Sequence, residues 1–150
     1  MQKIQITKMC KDDLQDIYKI CESSFPIPWE FTSFENELSN MLATYLIAKI
    51  ENKIVGYIGL WFIMDECQIV TLAIHEDYRR QGIASLLLNA MMKECKKHGT
   101  TYISLDVRAS NIAAQKLYAK YGFIEETIRK KYYLNPDNSR EDAIIMGMSL

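Results

Sequence analysis

Arg79, Arg80, Gln81 and Gly82 stand between a short apolar run, Val70 to Ile74, and a segment where Ile83, Leu86, Leu87, Ala90 and Met91 recur at the spacing of one helix face. A strand, a basic glycine-bearing turn and a helix, in that order, leave unpaired backbone N–H groups at the positive end of the helix. That chemistry suits a phosphate or pyrophosphate. Gly82 has no Cβ and lets an anion approach the backbone, and the small Ala84 keeps the next position open. The same features also serve a plain chain turn. Neither G-x-x-x-x-G-K-[ST] nor the three-glycine dinucleotide pattern is present, which argues against a nucleotide loop. A second group lies further on, where Leu105-Asp106-Val107-Arg108-Ala109-Ser110-Asn111 leaves a strand and opens a helix. Taken alone, Asp106 is a cap or a partner of Arg108, Asn111 is a helix cap, and Tyr118 is a core residue of an amphipathic helix.

The elements that must position these residues follow from periodicity and breakers. Lys3–Thr7 alternates as a strand. Asp12 or Asp13 is placed to cap a helix with Leu14, Ile17, Tyr18 and Cys21 on one face. Prolines at 26 and 28 forbid a regular helix through Phe25–Trp29. A second helix is expected over about 32–40. Tyr45–Ile50 and Ile54–Phe62, joined at Glu51-Asn52-Lys53, read as a hairpin, and Asp65-Glu66 turns the chain into Cys67–Ile74. The long helix should stop at Gly99 after Lys96, Lys97 and His98, whose charges suit its negative end. A strand at Tyr102–Val107, a helix from Ala109-Ser110-Asn111 to Gly122, and strands at Phe123–Tyr133 and Ala143–Met148 complete the chain. The order β-α-α-β-β-β-α-β-α-β-β predicts an α/β fold with a mixed sheet.

Composition bounds the function. The chain has 150 residues, 49% hydrophobic and 25% charged, which fits one domain with its own core. A net charge of −1 argues against broad nucleic-acid binding. Residues 1–75 carry net −4 and residues 76–150 net +3, so the basic turn lies in the basic half. Cys10, Cys21, Cys67 and Cys95 form no C-x-x-C, and with only His75 and His98 to accompany them they lack zinc spacing. Each is expected to be a small core hydrophobe, and no metal is expected. No signal peptide or spanning segment is read, so a reduced, cytoplasmic protein is expected, with no membrane partner.

Arg79-x-x-Gly82-x-Ala84 after a strand resembles the acetyl-CoA loop of the GNAT N-acetyltransferases, [QR]-x-x-G-x-[GA]. The element order matches that fold over nearly the whole chain: a mixed, mostly antiparallel sheet of six to seven strands flanked by about four helices. Three stretches are similar to the RimI-like branch of that family, the ribosomal-protein-alanine N-acetyltransferases. They are Phe25-Pro-x-Pro-Trp29, Leu-x-Val-Arg-Ala-Ser-Asn111, and Thr127-Ile-Arg-x-x-Tyr-Tyr133 followed by Arg140-Glu-Asp-Ala-Ile-Ile-Met146.

The resemblance implies roles. Leu72, Ala73 and Ile74 would lie along the pantetheine arm of acetyl-CoA, and a backbone N–H there would polarise the thioester. Arg79, Arg80, Gln81, Gly82, Ile83, Ala84 and Ser85 would form the pyrophosphate loop, and Asn111 would contact the pantetheine. Tyr118 would protonate the departing thiolate, a task suited to a phenol that stays protonated at neutral pH. Asp106 stands where RimI-like enzymes place a glutamate and is the candidate base, one methylene shorter; a water, or Glu66, is an alternative. Phe25, Trp29, Tyr132, Tyr133 and Arg140 would contact the acceptor. The implied reaction is direct transfer of acetyl to the N-terminal amine, alanine, of a small-subunit ribosomal protein, by a monomer or weak homodimer. Other expectations within the family are another protein N-terminus or a small amine. From a different class, a non-catalytic acetyl-CoA sensor is kept open by Asp106.

Overall fold

In the computed structural model residues 3–150 are described, as one seven-stranded sheet with four α-helices. The strands are β1 (Ile4–Lys8), β2 (Ala43–Ile50), β3 (Lys53–Ile63), β4 (Glu66–Ile74), β5 (Tyr102–Arg108), β6 (Ile124–Leu134) and β7 (Arg140–Ser149). The helices are α1 (Leu14–Ser24), α2 (Phe31–Leu38), α3 (Ile83–His98) and α4 (Ile112–Tyr121). The spatial order is β1-β2-β3-β4-β5-β7-β6, and every junction is antiparallel except β4–β5. The expected element order and mixed sheet are both present.

The apolar residues sort into two clusters. One gathers Ile83, Leu87, Leu88, Met91 and Cys95 of α3 and Tyr118 of α4 against Leu46, Ile58, Leu60, Ile103, Leu105 and Val107. The other gathers Leu14, Ile17, Cys21 and Phe34 of α1 and α2 against Tyr45, Ile47, Tyr57 and Ala73. Strand alternation explains the division, because successive side chains of a strand serve opposite faces. On β5, Ile103, Leu105 and Val107 are buried toward α3 and α4, which directs Asp106 and Arg108 to the other face.

Three expectations change at this level. Leu86 is 41% exposed, and Leu88 is buried in its place, because the helix phase turns position 86 outward. Neither Asp12 nor Asp13 caps α1 with its side chain. Asp13 instead reaches back, taking the Cys10 N–H at 2.9 Å and the Cys10 thiol at 3.3 Å, and pairs with Lys49 at 3.3 Å. Cys10 is therefore exposed and polar in its contacts, while Cys21, Cys67 and Cys95 are buried as expected.

Candidate active site

The site begins with a defect in the sheet. Gly59 pairs with Thr71 but Leu60 pairs with Ile69, so Val70 is an extra residue in β4. A bulge bends its strand and interrupts pairing. On the other edge of β4, the parallel ladder to β5 ends at Ile69–Leu105. Beyond that pair the two strands part. A cavity of about 360 Å³ fills the split, a size that suits a small ligand. Val70, Thr71 and Leu72 line one side, and Asp106, Val107 and Arg108 the other.

The parting leaves the β5-facing edge of β4 without a partner strand. The His75 N–H donates to Val55 of β3 at 2.8 Å. Since amides of a strand alternate in direction, the N–H groups of Ile74 and Leu72 point the other way, into the split. Leu72 lines the cavity, so its amide is a donor aimed at whatever lies there.

The cavity opens through both faces of the sheet. On the α3–α4 side stand Asn111, Ala114 and Tyr118; on the α1–α2 side stand Phe25, Ile27, Trp29, Tyr132, Tyr133 and Arg140. Asn111 caps α4 by accepting the Ala114 N–H at 3.1 Å, so the cap reading describes its side chain while it also lines the cavity. One turn on, α4 buries Tyr118, with 7% exposure, and the ring meets Phe123 edge-on at 5.6 Å. Burial pushes the Tyr118 phenol well above its ordinary range, because the charged form is the one desolvation penalises. Among the described residues its hydroxyl has no hydrogen-bond partner.

Asp106 reaches the cavity from the opposite face. It does not pair with Arg108. The Arg108 guanidinium is committed to Glu141 and Asn135, each at 2.8 Å, and to the Leu134 carbonyl at 2.9 Å, and it stacks on Tyr133 at 4.6 Å. The cation facing Asp106 is instead Arg129, at a loose 4.0 Å. Burial, and then the Asp106 charge, push Tyr133 up to about 12. The Ser110 N–H and hydroxyl, with the Arg108 guanidinium, hold Glu141 below the usual carboxylate range. Glu66, the alternative base, pairs with Tyr102 at the start of β4 and lies outside the cavity. Among the described residues, Asp106 is the one carboxylate lining this cavity, beside Arg108 and Arg140.

The basic turn lies beyond the end of β4, outside this cavity. Arg80 at φ 62 and Gly82 at φ 81 both take left-handed backbone, and α3 starts at Ile83. The first intrahelical bond there is Leu86 N–H to Gly82 O at 3.2 Å. The amides of Ile83, Ala84 and Ser85 precede it and are the orphan donors of a helix start. Gly82 would carry a Cβ into open space, with nothing within 4 Å, so the approach to these amides is clear. Arg79 does not point into that space. Its Nε donates to the Ile74 carbonyl at 3.1 Å and its Nη2 to Ser24 at 3.3 Å, bracing the turn against β4 and α1.

Of the candidates, Leu72, Asp106, Asn111, Tyr118, Phe25, Trp29, Tyr132, Tyr133 and Arg140 share one cavity. Ala73, Ile74 and residues 79–85 form the adjoining edge and turn. Sequence reading passed over Thr71 and Arg108. Arg108 was within reach, since it stands two residues after Asp106 on a strand and so shares its face. Thr71, whose hydroxyl is 3.2 Å from the buried Tyr57 hydroxyl, carries no such signal. Among the described residues, no three His, Cys, Asp or Glu side chains are grouped to hold a metal ion, and no helix is long and apolar enough to cross a membrane.

A split between two parallel strands with the free amides of a helix start beside it suits a site where an anionic donor and an acceptor meet. Residues 14–123 match the Acetyltransferase (GNAT) family, and the chain belongs to that family. Among its relatives, the ribosomal protein bS18-alanine N-acetyltransferase of Haemophilus ducreyi is 34% identical over 147 residues, covering 97% of this chain and 99% of the relative. A Bacillus subtilis protein that carries the same designation provisionally is 39% identical over 149 residues, covering 99% and 97%. The crystal structure of the ribosomal-protein-S18-alanine N-acetyltransferase from Escherichia coli superposes with a TM-score of 0.90 at 33% identity, covering 98% of this chain and 94% of that one.

Proposed function

We propose that the protein transfers the acetyl group of acetyl-CoA directly to the N-terminal α-amine, alanine, of a small-subunit ribosomal protein. The observation that carries this reading is the single cavity through the β4–β5 split. It joins a buried phenol on one face to a carboxylate and an aromatic wall on the other. Relatives of nearly equal length named for this reaction support the acceptor.

Acetyl-CoA supplies an activated thioester. The amides of Ile83, Ala84 and Ser85, at the positive end of α3, hold its pyrophosphate. Gly82 leaves them accessible, Arg80 and Gln81 flank them, and Arg79 fixes the turn. The free edge of β4, from Leu72 through Ala73 to Ile74, meets the pantetheine, with Asn111 opposite. The Leu72 N–H stabilises negative charge gathering on the thioester oxygen. The acceptor enters past Phe25, Trp29, Tyr132, Tyr133 and Arg140. Asp106 takes the proton from the amine, directly or through one water. Tyr118 gives its proton to the departing sulfur, so the amine gains the acetyl group and loses one proton while the thiol is restored. Holding both reactants in one cleft supplies much of the acceleration. The enzyme works as a monomer or weak homodimer. A ribosomal acceptor places the enzyme in the cytoplasm, with no role for nucleic acid or membrane contact.

The test is to incubate the protein with acetyl-CoA and unacetylated small-subunit ribosomal proteins and locate the new acetyl group by tandem mass spectrometry. Acetyl on the α-amine of an alanine-initiated protein is expected. Label confined to lysine side chains or to free small amines would contradict the assignment.

A further inference from the structure

The wall that receives the acceptor is shaped by a second irregularity. β6 and β7 shift register once between Glu125 and Thr127, keep it from there until Arg129 faces Ala143, and resume it where Tyr133 faces Glu141. Between these pairs Lys130, Lys131 and Tyr132 stand against Asp142 alone. Lys131 has φ 51, a backbone region disfavoured for a residue with a Cβ, and its N–H donates to Asp142 Oδ1 at 2.9 Å. In an uninterrupted strand, consecutive side chains face opposite ways. Here the rings of the consecutive Tyr132 and Tyr133 instead meet edge-on at 5.1 Å, and both line the cavity. Arg108 then stacks on Tyr133 at 4.6 Å, and Arg129 lies 5.4 Å from the Tyr132 ring.

We propose that Asp142 is a positioning residue for the acceptor. Its carboxylate, through the Lys131 amide, holds the β6 bulge that turns Tyr132 and Tyr133 together into the cavity, and so sets how tightly the acceptor is held without touching it. The proposal rests on the reading that this wall receives a peptide N-terminus.

The experiment compares the wild type with Asp142→Ala, Asp142→Asn, and Asp142→Ala combined with Lys131→Gly. Asp142→Ala is expected to raise KM for an alanine-initiated peptide about tenfold, from loss of one charge-assisted hydrogen bond, with KM for acetyl-CoA unchanged and kcat within about twofold. Asp142→Asn keeps an oxygen acceptor and should stay close to the wild type. Glycine at 131 takes positive φ without penalty and should restore the peptide KM. An unchanged peptide KM in Asp142→Ala, an equal loss toward both substrates, or a defect that neither Asn nor the glycine repairs would overturn the proposal. A nuclear Overhauser contact between the rings of Tyr132 and Tyr133 supplies a readout without turnover. Its loss in Asp142→Ala and return in the double variant is expected, and its persistence in Asp142→Ala would overturn the proposal. If the wild type acetylates no peptide, the acceptor reading fails, and this ring contact still decides whether Asp142 shapes the wall.

Discussion

Tyr118 and Asp106 approach one cavity from opposite faces of a split sheet, and the roles proposed for them rest on that division. Burial keeps the Tyr118 phenol protonated, so it is a donor across the working range. Replacing Tyr118 by Phe should lower kcat by about a hundredfold or more, with the affinity for acetyl-CoA by calorimetry unchanged. A merely structural tyrosine would leave kcat alone. Because the folded pKa is raised, the wild-type rate should show no falling alkaline limb from this residue below about pH 10, where a free phenol titrates. Asp106→Ala should depress the rate at neutral pH and change the shape of the pH–rate profile. A profile retained in that variant would clear Asp106 of the proton-accepting role. Asp106→Glu tests the missing methylene, and a large loss would show a site built around the shorter acid. Both residues stood out from the motif around them. Their geometry was not, since the loose Arg129 contact and the capture of Arg108 by Glu141 join residues more than twenty positions apart.

At the scale of elements, helices and their ends were the most readable. Gly99 and Gly122 stop α3 and α4 where glycine was expected to stop them. The β2–β3 hairpin and the order of elements along the chain also followed from spacing, while the placing of β7 between β5 and β6 did not. Nor did the bulges. The extra residue in β4 is Val70, inside an unbroken apolar run, and β6 has two shifts, one at Glu126 and a wider one centred on Lys131, which has no glycine to mark its positive φ. All are set by pairing with neighbours, which no local pattern records. The basic turn combines the two cases, with Gly82 visible and the left-handed Arg80 hidden. Gly82→Ala meets no atom but places a Cβ on left-handed backbone at φ 81, so it should cost about 1 kcal/mol of stability by urea titration. Gly82→Trp should abolish coenzyme A binding by filling the approach to the helix amides. Unchanged affinity in a calorimeter would remove the turn from the binding site.

For the whole molecule, the two-sided core was predictable in kind from the alternating strands and amphipathic helices, while its exceptions mark polar brackets. At Asp13 burial opposes ionisation, but the Cys10 amide and thiol and the Lys49 ammonium outweigh it and hold the carboxyl below its ordinary range. Glu141 is held low as well. Both contribute stability that is present above the unfolded carboxylate pKa and is lost as pH falls through the folded values. Burial raises Tyr45, Tyr57 and Tyr118. Their contribution is complete below the unfolded phenol pKa of about 10 and is lost as pH rises past it. Thermal melts from acid to alkali should therefore show a plateau through neutrality that falls below about pH 4 and above about pH 10. A decline centred near neutrality would contradict these assignments.

Thiol release during steady-state turnover tests most directly whether this chain carries acetyl from acetyl-CoA to a peptide N-terminus. The acceptors are a short alanine-initiated ribosomal peptide, its acetyl-blocked form, free amino acids and polyamines. Coenzyme A release is expected with the free alanine peptide and none with the blocked one or the small amines. Acetyl-CoA binding with no release on any acceptor, or release on polyamines alone, would contradict it.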